Sequence, residues 1–229
     1  MTVLGIETAT AVCGSAIVRD GRLLGEALLE IDRVHAERLL GQIEEILRVA
    51  NAAPRDLEGI AVSIGPGSFT GLRIGVSVAK GLAFARGIPI IGVPTLVALV
   101  QHAVAVAPLP GGTQVLAALD ARRDEVYCQL FAVAGGRVEP VWEACDLTLS
   151  ALGRRLEPSP TVLTGNASEK VRAALSRSHD VHLAPAPALR CSASSVALLG
   201  EKLLESGKSD DLGTLEPHYI KDFFLKTRQ

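Results

Sequence analysis

The stretch Gly65-Pro66-Gly67-Ser68-Phe69-Thr70-Gly71 is the first place where residue types and spacing could carry chemistry. A glycine turn leading into a helix can present backbone N–H groups to an anion. Neither phosphate-binding spacing is met, however. G-x-x-x-x-G-K-[ST] fails because no Lys-Ser/Thr follows Gly71, and G-x-G-x-x-G fails because Thr70 stands where the third glycine belongs. The stretch therefore reads as a packing turn, with anion binding as the alternative. His179 and His182 have H-x-x-H spacing around Asp180. In a strand, positions i and i+3 face opposite ways, so a solvated loop is the expectation. Asp120, Asp124 and Glu125 cluster where a carboxylate pair could do acid–base work. Arg122 and Arg123 beside them favour a salt-bridged turn. His35 sits at a helix start and reads as a capping or partner-contact residue rather than a ligand. No Ser-His-Asp or Cys-His arrangement follows from spacing.

Composition narrows the classes. The 229 residues suffice for one large domain or two small lobes. With 48% hydrophobic residues and 21% charged, the chain is a compact globular protein and not a disordered one. A formal net charge of −2 argues against tight binding to RNA by this chain alone. Cys13, Cys128, Cys145 and Cys191 include no C-x-x-C pair, so neither a zinc site nor a redox motif is visible. The start lacks a basic region and meets Glu7 early, and no uninterrupted apolar stretch is long enough to span a bilayer. A cytoplasmic protein with structural thiols and no membrane partner is expected.

The elements that must position any site follow in order. Strands are expected at Thr2 to Glu7, Val12 to Arg19 and Arg22 to Glu30, with Asp20-Gly21 as a hairpin turn. An amphipathic helix follows from His35 to Asn51. Ala36, Leu40, Ile43, Leu47 and Ala50 form its stripe, widened by Leu39 and Ile46. A buried strand, Ile60 to Ile64, leads through the glycine turn, with Ser68 or Thr70 as cap, into a helix from Leu72 to Ala85. In that helix only Arg73, Ser77 and Lys80 are polar, so it should be covered on more than one side. A strand at Pro89 to Gly92 and a helix at Thr95 to Ala107 close the first half. Pro108 to Gly112 is the clearest boundary. Strands at Gln114 to Leu119 and Val126 to Val133, a Gly135-Gly136 turn, and helices at Leu147 to Leu156 and Ser168 to Arg177 around a strand at Thr161 to Thr164 repeat the grammar. Pro185 and Pro187 mark a second linker. Ser192 to Ser206 is a last helix with Val196, Leu199, Leu203 and Leu204 inward. The tail carries Tyr219, Phe223 and Phe224. The fold class is α/β, a duplicated two-lobed design.

Ordered along this chain are G-I-E-T-A-T, H-A-E-R-L-L, G-P-G-S-F-T-G-L-R-I-G, A-K-G-L-A-F, P-I-I-G-V-P-T-L, L-D-A-R-R-D-E-V-Y and E-P-H-Y-I-K-D. With these pieces the sequence resembles the TsaB (YeaZ) family, dimerisation subunits of the bacterial machinery that makes threonylcarbamoyladenosine in tRNA. The resemblance implies an actin/sugar-kinase/Hsp70-like (ASKHA) fold. Residues 1–107 with the segment 192–229 would form a complete first lobe, and 112–189 a shortened second lobe. It implies a TsaD-type catalytic subunit as partner, a TsaE-type ATPase in the same complex, a homodimer when alone, and contact with tRNA only through the complex. The metal-binding His-x-x-x-His pair of the catalytic subunits falls at Thr95 and Leu99, whose side chains are poor substitutes for imidazole. The phosphate-gripping hairpins fall at Glu7-Thr8-Ala9-Thr10 and Asp120-Ala121-Arg122-Arg123, which lack the glycines that let backbone approach a phosphate. A non-catalytic subunit with no cofactor or metal is the expectation; an active ATP- or metal-dependent hydrolase or transferase of the same fold is the alternative.

The expected partner surface lies on the two helices of the first lobe. Arg73, Ser77 and Lys80 define an outward stripe, and Ser77 with Gly81 lets a second helix approach closely. The helix at His35 offers a wider apolar face than one sheet contact requires. The residues expected at the partner are His35, Leu39, Leu40, Ile43, Leu47, Phe69, Arg73, Val76, Ser77, Lys80 and Gly81, which would meet the matching pair of helices on the partner.

Overall fold

A computed structural model describes residues 1–31, 35–107, 109, 112–135 and 137–220. The expected Gly135-Gly136 turn and the Pro108 to Gly112 boundary fall partly outside these residues, and Phe223 and Phe224 wholly so. The first sheet has the order β3-β2-β1-β4-β5, from β1 (Thr2–Glu7), β2 (Val12–Arg19), β3 (Arg22–Glu30), β4 (Gly59–Gly65) and β5 (Ile90–Pro94). β1 is antiparallel to β2 and parallel to β4. Asp20 and Gly21 join β2 to β3 with positive φ at both positions, the geometry of the expected hairpin turn.

A second sheet repeats this connectivity. Its path is β11-β10-β6-β7-β8, from β6 (Thr113–Asp120), β7 (Glu125–Ala134), β8 (Arg137–Pro140), β10 (Thr161–Thr164) and β11 (Val181–Leu183). β6 is antiparallel to β7 and parallel to β10, as β1 is to β2 and β4. β9 (Cys145–Thr148) pairs with the first half of β7. Two elements depart from the sequence expectation. The helix expected from Leu147 starts only at Leu149, because Thr148 caps α4 (Leu149–Arg155) by accepting from the Ala151 amide at 3.2 Å, and Leu147 and Thr148 belong to β9 instead. Val181–Leu183 is a parallel edge strand rather than a solvated loop.

The helices assemble the cores. α1 (His35–Val49) and α2 (Phe69–Arg86) cover one face of the first sheet. Leu39, Ile43, Ile46, Leu47, Val76, Ala79 and Ala83 pack there on Leu4, Ile6, Ile17, Ile60 and Val62. α6 (Ala193–Glu205) returns to the opposite face, where Val196 and Ala197, with Leu199, Leu203 and Leu204, pack on Val3, Ala16, Val18, Ala61 and Ile91. α3 (Thr95–Val106) lies between the sheets. Its Leu96, Leu99 and Val100 meet Val115, Ala117, Leu119 and Phe131 of the second sheet. α4 and α5 (Ser168–Leu175) cover the other face of that sheet around Leu152, Val171 and Leu163.

Candidate protein-partner surface

The glycine turn is spent on the chain itself. Ser68 is the N-cap of α2, accepting from the Gly71 amide at 3.2 Å. The Gly65 amide donates to Thr95 Oγ1 at 3.0 Å, and the Ser68 amide to the Ala9 carbonyl at 2.6 Å. A Cβ at Gly67 would strike Ala9, and one at Gly71 or Gly75 would strike Thr8. These glycines therefore let α2 and its turn close on the 8–10 turn, and the Gly65, Ser68 and Gly71 amides already have protein acceptors.

The positions implied for metal and phosphate chemistry are likewise occupied by structure. Thr95 and Leu99 are fully buried. Leu99 packs between the sheets. Glu7 is fully buried; its Oε1 accepts from the Ala9 amide at 2.6 Å, while Oε2 and the neighbouring Thr8 Oγ1 have no hydrogen-bond partner among the described residues. Burial raises the Glu7 pKa to about 7, against the lowering effect of the Ala9 amide and Ser63 hydroxyl.

In the second sheet, Lys170 rather than Arg122 or Arg123 pairs with Asp120, at 2.7 Å, and also donates to the Glu125 carbonyl at 2.9 Å. Lys170 comes from α5, and Arg122 and Arg123 take positive φ in the β6–β7 turn. His182 pairs with Asp180 at 2.7 Å, while His179 turns to the Leu156 carbonyl at 3.1 Å. The two histidines do not converge, and no three-residue metal-ligating group occurs among the described residues.

The eleven residues expected at a partner divide into three sets. His35, Leu39, Ile43, Leu47 and Val76 are buried within this chain. His35 Nε2 bonds the Val12 carbonyl at 3.0 Å, and the other four belong to the first core. They turn into this chain's own core rather than outward as the sequence expectation has them; the α1 stripe is centred on Leu39, Ile43, Ile46 and Leu47, rotated away from Ala36 and Leu40.

Phe69, Arg73 and Lys80 form the second set, engaged by the segment 210–219. Asp210 joins the edge of β5: its amide donates to the Ile90 carbonyl at 2.9 Å, and its carboxylate accepts from the Gly92 amide at 2.6 Å. Leu215 enters the core, and the His218 amide donates to the Ile64 carbonyl at 2.7 Å. Tyr219 then lies against Phe69 with ring centroids 5.2 Å apart. Arg73 lies over the Phe69 ring at 4.1 Å and donates to the Tyr219 hydroxyl at 3.1 Å. Lys80 donates to the Gly213 and Leu215 carbonyls at 3.2 and 3.1 Å. The outward stripe is therefore partly strapped by the chain's own C-terminal segment.

Leu40, Ser77 and Gly81 are the third set and stay exposed. Sequence reasoning missed two neighbours of the same kind. Phe84 is 78% exposed one turn beyond Gly81, and Gly41 follows Leu40 on α1. The series 73, 77, 81 and 84 repeats at helical spacing and could have found Phe84. Beyond each helix's own backbone, no described residue lies within 4 Å of a Cβ built on Gly41 or Gly81. Glycine in a helix interior is disfavoured by roughly 1 kcal/mol relative to alanine, and no contact among the described residues calls for it at either position.

A family model described as TsaD, tRNA N6-adenosine threonylcarbamoyltransferase, matches residues 28–222. The tRNA threonylcarbamoyladenosine biosynthesis protein TsaB of Escherichia coli K12 is 42% identical over 128 residues, 56% of this chain and 53% of that protein. The tRNA N6-adenosine threonylcarbamoyltransferase of Paracoccus denitrificans is 40% identical over 109 residues, 41% of this chain and 31% of that protein. The solved YeaZ from Pseudomonas aeruginosa superposes with a TM-score of 0.81 at 28% identity, over 95% of this chain and 99% of that one. The matches to curated TsaB relatives span just over half of those relatives' length. More distant solved structures share the fold alone, the two-lobed ASKHA fold. The chain belongs to the TsaB (YeaZ) family, within the wider group that the TsaD-type family model describes.

Proposed function

We propose that this chain is a non-catalytic scaffold subunit in the biosynthesis of threonylcarbamoyladenosine in tRNA. It binds and activates a TsaD-type catalytic subunit, which transfers the threonylcarbamoyl group to the adenosine beside the anticodon. The observation that carries the reading is the exposure of Leu40 and Gly41 on α1 and of Ser77, Gly81 and Phe84 on α2, where no described residue beyond each helix's own backbone lies within 4 Å of a Cβ built on either glycine. Small residues let helix backbones approach, and an exposed aromatic supplies an anchor. The 109-residue similarity to a transferase suits a contact between like helix pairs. The buried Thr95 and Leu99 speak for the non-catalytic half of the proposal.

In this reading residues 1–107 with 192–229 act as the first lobe and 112–189 as the second. His35, Leu39, Ile43, Leu47 and Val76 position the two helices from beneath. Leu40, Ser77, Gly81 and Phe84 touch the partner, while Phe69, Arg73 and Lys80 border the contact where the C-terminal segment lies. A TsaE-type ATPase joins the same complex, the chain self-associates through this face when alone, and tRNA is met only through the complex. Among the described residues no helix is long and apolar enough to cross a membrane.

The test is reconstitution. This chain, a TsaD-type subunit and their mixture are each supplied with threonylcarbamoyl-adenylate and tRNA. The mixture should modify tRNA faster than the catalytic subunit alone, and this chain alone should not modify it. Modification by the pure chain would overturn the scaffold reading.

A further inference from the structure

The second sheet carries a pair of sulfurs that the scaffold reading does not use. Cys128 on β7 and Cys145 on β9 are directly opposite each other in antiparallel register. Directly opposed residues of an antiparallel pair have Cα atoms about 4.5–5.5 Å apart, inside the span that a disulfide bridges. Both side chains belong to the cluster beneath α4 and α5, so they share one face of the sheet. The Cys145 thiol donates to the Cys128 carbonyl at 3.7 Å.

Their surroundings differ in a way that assigns roles. Cys128 is fully buried, and its thiol is held well above the ordinary range by burial and by Cys145. Cys145 is half-buried and open to small solutes. Arg155, on the last turn of α4, donates from Nη1 to the Cys145 sulfur at 3.3 Å, and its guanidinium is steadied 4.4 Å over the Trp142 ring. A partly exposed sulfur beside a fixed cation is the setting in which thiols react.

We propose that Cys145 and Cys128 form a peroxide-sensitive dithiol that closes to a reversible intrachain disulfide. The Cys145 sulfur attacks one oxygen of hydrogen peroxide; the O–O bond breaks, leaving a sulfenic acid on Cys145 and one water. Arg155 faces the negative charge that builds on the sulfur. The Cys128 sulfur then attacks the Cys145 sulfur. The S–S bond forms as the S–O bond breaks, and the Cys128 proton leaves with the oxygen as a second water. Two thiols are oxidised and one peroxide is reduced to two waters. The bond would join β9 to β7 covalently beside the cap of α4, and a small-molecule dithiol would reopen it.

The experiment treats the full folded chain with hydrogen peroxide, then follows free thiols, intact mass and the tryptic map. The expected result is loss of two of the four thiols, loss of two hydrogens from the monomer, a Cys128–Cys145 linked peptide, and full reversal by dithiothreitol. In Cys128→Ser the reaction should stop at a sulfenic acid on Cys145, trapped by dimedone. Arg155→Gln should slow disulfide closure several-fold with the same linked peptide formed. The proposal is overturned if the folded wild-type chain keeps all four thiols, or if its first product is a link between two chains or an oxidation at Cys13 or Cys191. The wild-type map decides the question even where a variant fails to fold.

Discussion

The Thr95 hydroxyl accepts a hydrogen bond from the Gly65 amide at 3.0 Å, with both groups buried. Position 95 is one of the two that the family resemblance aligns with a metal-binding histidine, and in this chain it closes the turn between β4 and α2. The turn in turn sets the start of α2 and hence where Ser77 and Gly81 stand. Replacing Thr95 with Val keeps the shape and leaves a buried N–H without an acceptor. The expected loss is about 1–3 kcal/mol, read by urea denaturation of the isolated chain. An unchanged midpoint would mean that the Gly65 amide has another acceptor.

Glu7 gives a pH signature. Its pKa is raised to about 7 from an ordinary 4.5, because burial penalises the carboxylate. The folded state therefore holds a proton that the unfolded chain releases between those two values. That contribution to stability is fully present below about pH 4.5 and is lost as pH rises through about 7. A Glu7→Gln variant should abolish it. The wild type should lose up to about 3 kcal/mol more stability than the variant between about pH 5 and about pH 8. Parallel stability curves for the two proteins would show that Glu7 titrates normally.

The C-terminal segment should open locally rather than globally. Tyr219→Ala removes the ring contact with Phe69 and the hydrogen bond from Arg73. The expected outcome is faster hydrogen exchange at the His218 amide, which is bonded to Ile64, with a change in global stability below about 1.5 kcal/mol. Unchanged exchange at His218 would place the anchoring in Leu215 instead.

Much of this architecture can be read from local chemistry. Asp20-Gly21, the Ser68 cap and the apolar α2 each announce their element, because turn conformation, capping and burial act on neighbours in sequence. The missed parts depend on distant partners. β9 and β11 are short edge strands that exist through pairing with β7 and β10. Lys170 reaches Asp120 from fifty residues away. The α1 stripe shows the limit most clearly: Leu40 and Leu39 are equally apolar, and packing in the first core decides that Leu39 turns inward. The strap over Phe69, Arg73 and Lys80 left the weakest signal, since Glu216-Pro217-His218-Tyr219 has no periodicity to place it.

Gly41 and Gly81 should separate stability from binding. Each sits inside an exposed helix with open space where a Cβ would point. Alanine at either position should stabilise the isolated chain by roughly 0.5–1 kcal/mol while weakening association with a TsaD-type subunit. Thermal melts and titration on the same samples report both. Stabilisation with no loss of affinity at both sites would leave these glycines without a partner role.

Ser77→Trp tests the central claim most directly. Ser77 is exposed, so a large side chain there leaves the monomer fold intact. In a close helix contact it overpacks by roughly 1–3 kcal/mol, which is about tenfold to a hundredfold in affinity. A TsaD-type subunit is titrated into wild type and variant by calorimetry, with circular dichroism confirming that both are folded. The account predicts a dissociation constant raised by that factor; equal dissociation constants for the two folded proteins would contradict it.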